Sequence, residues 1–137
     1  MAVSADPIAD LLRCARTIAV VGLSDSPLRP SHGVAAYLQL QGYRIVPVNP
    51  NLVEALGERA YASLSEVPPE VRIDIVDIFR RPEFVPEIVA QAIRRRAPAV
   101  WLQEGVVHPE AAGMARAAGI FVVMDRCILK EHRNRNR

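Results

Sequence analysis

Short apolar runs alternate with amphipathic segments along almost the whole chain. Five of these runs have the length of a strand: Thr17–Val21, Tyr43–Val48, Ile73–Phe79, Ala99–Gln103 and Ile120–Met124. Such continuous apolar runs are typical of parallel strands buried on both faces. Because helix-forming sequence separates them, we expect right-handed crossovers that cover both faces of the sheet. The pattern predicts a single α/β domain, Rossmann-like and doubly wound, with a mostly parallel sheet of about five strands.

Helical periodicity and capping residues place the helices between these strands. A leading helix is predicted over residues 5–15, with Asp6 as its N-cap and Pro7 in its first turn. Four more helices are predicted: Ser31–Gln41, Pro82–Arg96, Pro109–Ala118 and Cys127–His132. The segment Asn51–Pro69 is predicted to be irregular, apart from one helical turn at Ser63–Glu66. No linker divides the chain, so the domain is expected to span residues 1–132, followed by a mobile basic tail over 133–137.

The first apolar run ends at Gly22 in a loop of small, polar and proline residues, and helical sequence resumes near Ser31. A buried strand that opens into a loop under a helix N-terminus is typical of a phosphate-binding site. The next glycine is Gly33, eleven positions after Gly22, whereas the dinucleotide motif G-x-G-x-x-G fits within about six residues. The second strand ends at Asn49, where an NAD site places an acidic residue. The loop therefore favours a nucleotide ligand other than NAD or a flavin dinucleotide.

Polar residues, glycine and arginine follow the carboxyl ends of the predicted strands, where ligands bind in open α/β sheets. Arg29, Arg80 and Arg81 lie on these loops, and guanidinium groups hold phosphates through strong paired hydrogen bonds. The alternative is that they are solvated surface arginines. Ser31 has two compatible interpretations, as the N-cap of its helix and as part of an anion site.

Composition excludes several classes of protein. Hydrophobic residues make up 50% of the chain, which excludes a disordered protein. No apolar run approaches the roughly 18–20 residues of a membrane span. The N-terminus lacks the basic and apolar regions of a secretory signal, so we expect a cytoplasmic protein. The formal net charge of +2 is too small to indicate nucleic-acid binding.

Candidate catalytic and metal-binding groups are few. Cys14 and Cys127 have no metal-ligand spacing and are expected to be reduced thiols. Asp74 and Asp77 are three positions apart on a predicted strand, so they face opposite sides and do not form an acid–base pair. For Asp77, a position facing the edge at the strand ends is one interpretation. For Cys127, the interpretations are a buried structural cysteine and a thiol that forms a mixed disulfide with a ligand thiol. We assign no catalytic residue and no metal site.

Several segments, in the same order along the chain, strongly resemble the small single-domain CoA-binding proteins of bacteria and archaea. The segments are Ile-Ala-Val-Val-Gly-Leu-Ser-Asp (18–25), Arg-Pro-Ser (29–31), Gly-Tyr-Arg-Ile-Val-Pro-Val-Asn-Pro-Asn (42–51), Asp-Ile-Val-Asp-Ile-Phe-Arg-Arg (74–81), Val-Trp-Leu-Gln-Glu-Gly-Val (100–106) and Val-Val-Met-Asp-Arg-Cys (122–127). This family is similar to the N-terminal CoA-binding domain of the succinyl-CoA synthetase α subunit. The resemblance implies a Rossmann-like fold and bound coenzyme A (CoA) or an acyl-CoA.

The resemblance also implies which residues contact CoA. They are Gly22, Leu23, Ser24, Asp25, Arg29 and Ser31 at the phosphates, Val48, Asn49 and Pro50 at the nucleotide end, Ile78, Phe79, Arg80 and Arg81 at adenine and phosphates, and Gln103 and Gly105 toward the pantetheine arm. The family usually has an apolar residue where this chain has Glu104, and a charge there prefers water to a thiol-bearing arm.

Three functions remain open at the level of sequence. The first is a non-catalytic module that binds CoA or an acyl-CoA as a carrier, a sensor or a partner subunit. The second is an enzyme acting on a CoA thioester or another nucleotide. The third is an interaction or regulatory protein with a vestigial pocket. A homo-oligomer or a protein partner is compatible with all three.

Overall fold

Each of the five apolar runs forms a strand of one parallel sheet. The computed structural model of the chain describes residues 5–136, so the first four residues of the predicted domain and the last residue of the predicted tail lie outside it. The sheet strands are β1 (Thr17–Val21), β2 (Arg44–Val48), β5 (Ile75–Ile78), β6 (Ala99–Leu102) and β7 (Phe121–Val123), and a separate ribbon consists of β3 (Glu54–Ala55) and β4 (Glu58–Arg59). The helices are α1 (Pro7–Cys14), α2 (Pro30–Leu40), α3 (Val85–Arg94), α4 (Pro109–Ala117) and α5 (Ile128–Arg135), with short 3-10 turns at Leu64–Glu66 and Pro82–Phe84.

The strand order of the sheet is β2-β1-β5-β6-β7, and every pairing between neighbours is parallel. The predicted α/β fold is therefore confirmed. From β1 the chain steps outward to β2 and then returns to β5 on the other side of β1. In open α/β sheets this reversal leaves a crevice beyond the carboxyl ends of the two central strands. Here those strands are β1 and β5.

Helices cover both faces of the sheet, which gives the domain two apolar cores. One core joins strand residues such as Ile78 to α3 and α4 through residues such as Val89. The other joins Trp101 to α2 and α5 through Leu38 and Ile128. Because the strands are buried on both faces, their sequences are continuous apolar runs with no alternation. Among residues 5–136, no helix combines the length and the apolar character that crossing a bilayer requires.

The N-cap residue predicted for α1 is observed, whereas the one predicted for α2 is not. The Asp6 side chain accepts a hydrogen bond from the Ala9 N–H at 3.1 Å, which confirms Asp6 as the N-cap of α1. Ser31 as the N-cap of α2 is wrong, because the helix starts at Pro30 and the N-cap is Arg29. A proline suits the first helical position, since the N–H it lacks has no helical partner there. Ser31 is instead the second residue of the helix.

The last helix is longer than predicted. It extends past His132 to Arg135, where the Arg135 Nε lies 2.9 Å from Asp6 Oδ2 and the Nη1 lies 3.2 Å from Glu131 Oε1. The pair with Asp6 connects the end of α5 to the start of α1, and the pair with Glu131 lies within α5. A tail rich in Arg and Asn gives no apolar periodicity to signal this extension.

The ribbon of β3 and β4 was not predicted from the sequence. Its two strands are joined by Leu56 and Gly57, both with positive φ, at 53° and 76°. Tight hairpins of this kind usually carry Asn-Gly or Asp-Gly at these positions. Because leucine rarely adopts positive φ, the sequence Ala-Leu-Gly-Glu carries no hairpin signal. The turn at Ser63–Glu66 was predicted, and a 3-10 turn forms at Leu64–Glu66.

Gly22 occupies a position at the end of β1 that leaves no room for a side chain. Its φ is +90°, and a Cβ atom placed on it would lie 2.4 Å from the backbone oxygen of Phe79. The Gly22 N–H donates to the Val48 carbonyl at 2.8 Å, so the glycine also connects to β2. The carboxyl ends of β1, β2 and β5 therefore converge on one residue without a Cβ atom.

Asp77 is fully buried at the centre of the sheet, in β5. Neither of its carboxylate oxygens has a hydrogen-bond partner within the described part of the chain. Burial alone raises the pKa of Asp77 well above its ordinary value. Asp77 does not line the cleft at the strand ends, so the interpretation that it faces that edge is wrong. The sequence pattern missed this because an aspartate next to the last residue of a strand is normally solvated.

We predict that Gly22→Ala lowers the free energy of unfolding by about 2–4 kcal/mol, because it adds backbone strain and a clash with the Phe79 carbonyl. Urea unfolding followed by tryptophan fluorescence measures this. The control is Gly113→Ala in α4, where a Cβ atom meets nothing within 4 Å. That control is expected to leave stability unchanged or raise it by up to about 1 kcal/mol. Equal stabilities of the two variants would contradict the close approach at Gly22.

We predict that Asp77→Asn removes a pH-dependent loss of stability. Above the ordinary aspartate pKa of about 3.9, the unfolded chain releases the Asp77 proton while the folded chain retains it. Wild type therefore loses about 1.4 kcal/mol per pH unit relative to the variant, until the pH passes the raised pKa of Asp77 in the folded protein. Urea unfolding at a series of pH values measures the difference.

The matched control for this prediction is Asp74→Asn. The Asp74 carboxylate accepts hydrogen bonds from the backbone N–H groups of Arg16 and Thr17, at 2.9 and 3.0 Å. Its replacement is not expected to give a gain in stability that grows with pH. The same pH dependence in wild type and Asp77→Asn would refute the assignment of a buried, proton-retaining carboxyl group.

Candidate functional site

A cleft of about 830 Å³ lies beyond the carboxyl ends of β1, β5 and β6, at the reversal in strand order. Its volume is within the usual range of small-molecule and cofactor sites. The lining residues come from the loops after these strands, from the N-terminal part of α2 and from Cys127, the N-cap of α5. They are Gly22, Ser24, Arg29, Pro30, Ser31, Val34, Phe79, Arg80, Arg81, Pro82, Gln103, Glu104, Gly105, Val106 and Cys127.

The structure brings most of the predicted site residues together in this cleft. Those that line it are Gly22, Ser24, Arg29, Ser31, Phe79, Arg80, Arg81, Gln103 and Gly105. Because all five strands are parallel, the loops that carry these residues meet at the same edge of the sheet. Loops that are more than 70 positions apart in sequence thus contribute to a single cleft.

Two predicted residues, Val48 and Pro50, line a smaller cavity of about 190 Å³ instead. This second cavity lies beyond the ends of β1 and β2, against α3, and Phe84 and Ser63 are among its walls. Arg80 lines both the cleft and the second cavity. The two spaces are therefore neighbours that share one arginine.

Four predicted residues line neither space. Leu23 is fully buried among apolar side chains, and Ile78 is fully buried in the core on the opposite face of the sheet. Asp25 is exposed on the loop. Asn49 has a structural role, because its Nδ2 donates to the Leu23 carbonyl at 3.0 Å and its Oδ1 accepts from the Asn51 N–H at 2.9 Å.

Several wall residues were missed from the sequence. Pro30, Val34, Pro82 and Val106 give the cleft its apolar surface. Val34 has the helical spacing of a core residue, so periodicity does not distinguish a pocket wall from the core. The prolines mark the starts of helices, and only the three-dimensional structure shows that these starts face the same cleft. Sequence reasoning therefore found the polar residues of the site better than its apolar ones.

The loop between β1 and α2 is held by its own serines. The Ser31 Oγ accepts a hydrogen bond from the Ser24 N–H at 3.0 Å, and the Ser24 Oγ accepts one from the Ser26 N–H at 3.1 Å. The N-cap residue Arg29 makes no side-chain capping bond. The first turn of α2 therefore faces the cleft with no side-chain cap on it. The partial positive charge of a helix N-terminus favours an anion at this position.

Two neighbouring arginines on the loop after β5 contact one aromatic ring. The Arg80 Cζ lies 4.2 Å from the centroid of the Phe84 ring, and the Arg81 Cζ lies 5.5 Å from it. The Arg81 Nε is also 3.7 Å from Glu83 Oε1. Stacking on an aromatic face orients a guanidinium group without using its hydrogen-bond donors. The Arg80 guanidinium is thus oriented while its donors remain available to a ligand.

The opposite wall of the cleft connects β6 to α5. Gln103 is nearly buried, and its Oε1 accepts a hydrogen bond from the Ile128 N–H at 3.1 Å. Glu104 Oε1 lies 2.8 Å from Lys130 Nζ, and this hydrogen bond raises the pKa of the lysine. The Glu104 carboxylate is about half exposed. The negative charge of Glu104 is therefore compensated by Lys130 and by solvent at the outer edge of the cleft.

The charge of the lining is positive, because three arginines outnumber the single acidic residue Glu104. This electrostatic balance favours a ligand that carries several negative charges. Within residues 5–136, no group of three or more His, Cys, Asp and Glu side chains has the arrangement of a metal site. The arrangement can bind a phosphorylated molecule that has both polar and apolar parts.

Comparisons with known proteins agree with this geometry. A protein family described as "CoA binding domain" matches residues 16–133. The chain is 45% identical over 125 residues to the uncharacterized protein YneT of Bacillus subtilis, and the match covers 91% of each chain. A hypothetical protein from Pyrococcus horikoshii has a solved structure that superimposes with a TM-score of 0.91 at 36% identity. That match covers 96% of this chain and 92% of the Pyrococcus chain.

A more distant relative is a much longer protein, the ADP-forming acetate–CoA ligase II of Archaeoglobus fulgidus. The identity is 29% over 82 residues, which is 58% of this chain and 12% of the ligase. The resemblance inferred from the sequence motifs is confirmed by the family match across residues 16–133. The chain belongs to the CoA-binding domain family.

Proposed function

We propose that this protein binds CoA or an acyl-CoA in the cleft and acts as a non-catalytic carrier or sensor module. The observation that carries the proposal is the convergence of Arg29, Arg80 and Arg81 with the N-terminus of α2 at the reversal in strand order. Membership of the CoA-binding domain family supports the identity of the ligand. CoA carries a diphosphate and a ribose 3′-phosphate, so its nucleotide end requires several cationic groups close together.

The phosphates of CoA fit the end of the cleft beside α2. Arg29 and Arg80 reach it from different loops, and Gly22 lets the backbone come close because it has no side chain. Charge-assisted hydrogen bonds from arginine to phosphate are about twice as strong as neutral ones. We assign the diphosphate to this end of the cleft.

The smaller cavity suits the base at the nucleotide end. Its walls include Val48 and Pro50, which the family resemblance assigns to the nucleotide end, and Arg80 lines both this cavity and the cleft. We assign adenine to this cavity, and the pantetheine arm to the opposite wall near Gln103 and Gly105. The position of Asn49 supports CoA over NAD, because no carboxylate stands at the end of β2 to bind two ribose hydroxyls.

The cleft contains few groups suited to catalysis. The carboxylate of Glu104 is paired with Lys130 at the rim. The hydroxyl oxygens of Ser24 and Ser31 accept backbone hydrogen bonds within the loop before α2, and the lining also holds the Cys127 thiol. These observations support binding over turnover as the function. The proposal keeps the cytoplasmic location expected from the sequence. Release of free CoA from an added acyl-CoA by the pure protein would instead support an enzyme.

We predict that Arg80→Ala weakens CoA binding about tenfold to a hundredfold, because it removes a charge-assisted contact to phosphate. Isothermal titration calorimetry with CoA, acetyl-CoA, NAD and FAD measures both the loss and the ligand preference. The control is Arg116→Ala, an exposed arginine of α4 outside the cleft lining, which is expected to bind CoA like wild type. Tighter binding of NAD than of CoA by wild type would contradict the proposed function.

A second comparison tests the position of the 3′-phosphate. If Arg80 and Arg81 hold it, replacing both with alanine is expected to weaken CoA more than dephospho-CoA, by at least about tenfold. The same calorimetric titrations with the two ligands give the ratio. Equal losses for CoA and dephospho-CoA would place the 3′-phosphate elsewhere.

A further inference from the structure

Asp77 lies directly beneath the floor of the cleft. In the sheet register it is paired with Val20 of β1 and with Trp101 of β6. Because side chains alternate along a strand, Asp77 shares its face of the sheet with Phe79, two residues further along. Trp101 likewise shares that face with Gln103. Phe79 and Gln103 both line the cleft. The Asp77 carboxyl group therefore lies one side chain deeper in the core than the surface of the cleft.

The surroundings of Asp77 offer no partner for a negative charge. Both carboxylate oxygens are buried without a hydrogen bond among residues 5–136. The strands on either side, β1 and β6, contain no ionisable side chain. The indole N–H of Trp101 donates to the Arg126 carbonyl at 2.8 Å instead. An isolated carboxylate in such a place is strongly disfavoured relative to the neutral acid.

The tyrosine and histidine side chains on this face of the sheet contact one another. Tyr37 of α2 and Tyr43, which immediately precedes β2, contact His132 of α5, and the Tyr37 Oη lies 2.7 Å from His132 Nδ1. Burial lowers the pKa of His132 and raises that of Tyr43. Cys127 packs against the same core. Burial is the only cause of the raised pKa of Asp77.

The charged groups on the cleft side are Arg29, Arg80, Arg81 and Glu104. A polyphosphate bound beside them would lie roughly 10 Å from Asp77, given a rise of about 3.3 Å per strand residue. At this separation in a protein interior, ionisation of Asp77 would weaken binding about tenfold for each unit of ligand charge. The neutral acid would cause no such repulsion.

We propose that Asp77 is a proton-binding site coupled to the cleft: the protein with Asp77 protonated binds the polyphosphate ligand, and ionisation of Asp77 releases it. This inference rests on the proposed function, because it takes CoA as the ligand. By linkage, the ligand also favours protonation of Asp77, so binding takes up a proton when the free protein is partly ionised. Asp77 touches neither CoA nor its phosphates in this account and acts through charge alone.

The test compares the dissociation constant of CoA for wild type and Asp77→Asn from about pH 5 to about pH 9, a range in which buried carboxyl groups are known to titrate. The ratio of the wild-type constant to the variant constant is expected to rise about tenfold or more as pH increases. Ionisation of CoA itself and of the cleft residues is common to both proteins and cancels in the ratio. Asp77→Val serves as a second variant, since valine suits the apolar surroundings of this position.

One further measurement, the fluorescence of Trp101, separates the outcomes. In ligand-free wild type, the fluorescence of Trp101, the single tryptophan, is expected to change over the same pH range, and in Asp77→Asn to stay constant. Asp74→Asn is the matched control and is expected to follow wild type. CoA binding with the same pH dependence in wild type and both Asp77 variants would overturn this inference and leave the proposed function intact. Absence of CoA binding by wild type at every pH would overturn both.

Discussion

The close approach of three strand ends at Gly22 is the constraint on which the site depends. A side chain at this position would meet the Phe79 carbonyl immediately after β5, and its absence lets β1 turn sharply away from the sheet into the loop before α2. The reversal in strand order lies at the same point, between β1 and β5. Topology therefore provides a crevice, and one glycine lets the surrounding backbone come close to whatever binds there.

Electrostatics divides the site into two layers. At the edge of the sheet, three arginines and the first turn of α2 attract negative charge in contact with water. One layer below, the buried carboxyl group of Asp77 has no hydrogen-bond partner among the residues that the structure describes. An unpaired buried acid lowers the free energy of unfolding at pH values above its pKa in the unfolded chain. Stability therefore does not explain the presence of Asp77 in the core. The two layers are electrostatically compatible when the cleft holds an anionic ligand and the Asp77 carboxyl group beneath it stays neutral.

The sequence predicted the fold well because buried parallel strands and amphipathic helices carry strong local signals. Thr17–Val21 was predicted with its observed bounds, since an apolar run ended by glycine leaves no ambiguity. The start of α2 was misplaced, because a serine near a helix start resembles an N-cap while Pro30 occupies the first helical position. The hairpin at Leu56 was missed because its positive φ is imposed by the tertiary structure and not by residue preference.

The sequence predicted those residues of the candidate site that follow directly after the strands. Gly22, Arg80 and Gln103 follow three different strands, and parallel pairing brings them to one cleft. Whether a side chain at a strand end faces the cleft or the core depends on the alternation of the strand. Phe79 and Ile78 are adjacent in sequence, yet only Phe79 lines the cleft while Ile78 is buried on the opposite face. That alternation also placed Asp77 inside the core.

A crystal structure of the protein grown with CoA would show directly where the ligand binds. We expect the diphosphate between Arg29, Arg80 and the first turn of α2, with the pantetheine arm extending toward Gln103. Density for CoA on another surface, or a cleft left empty at saturating CoA, would contradict it.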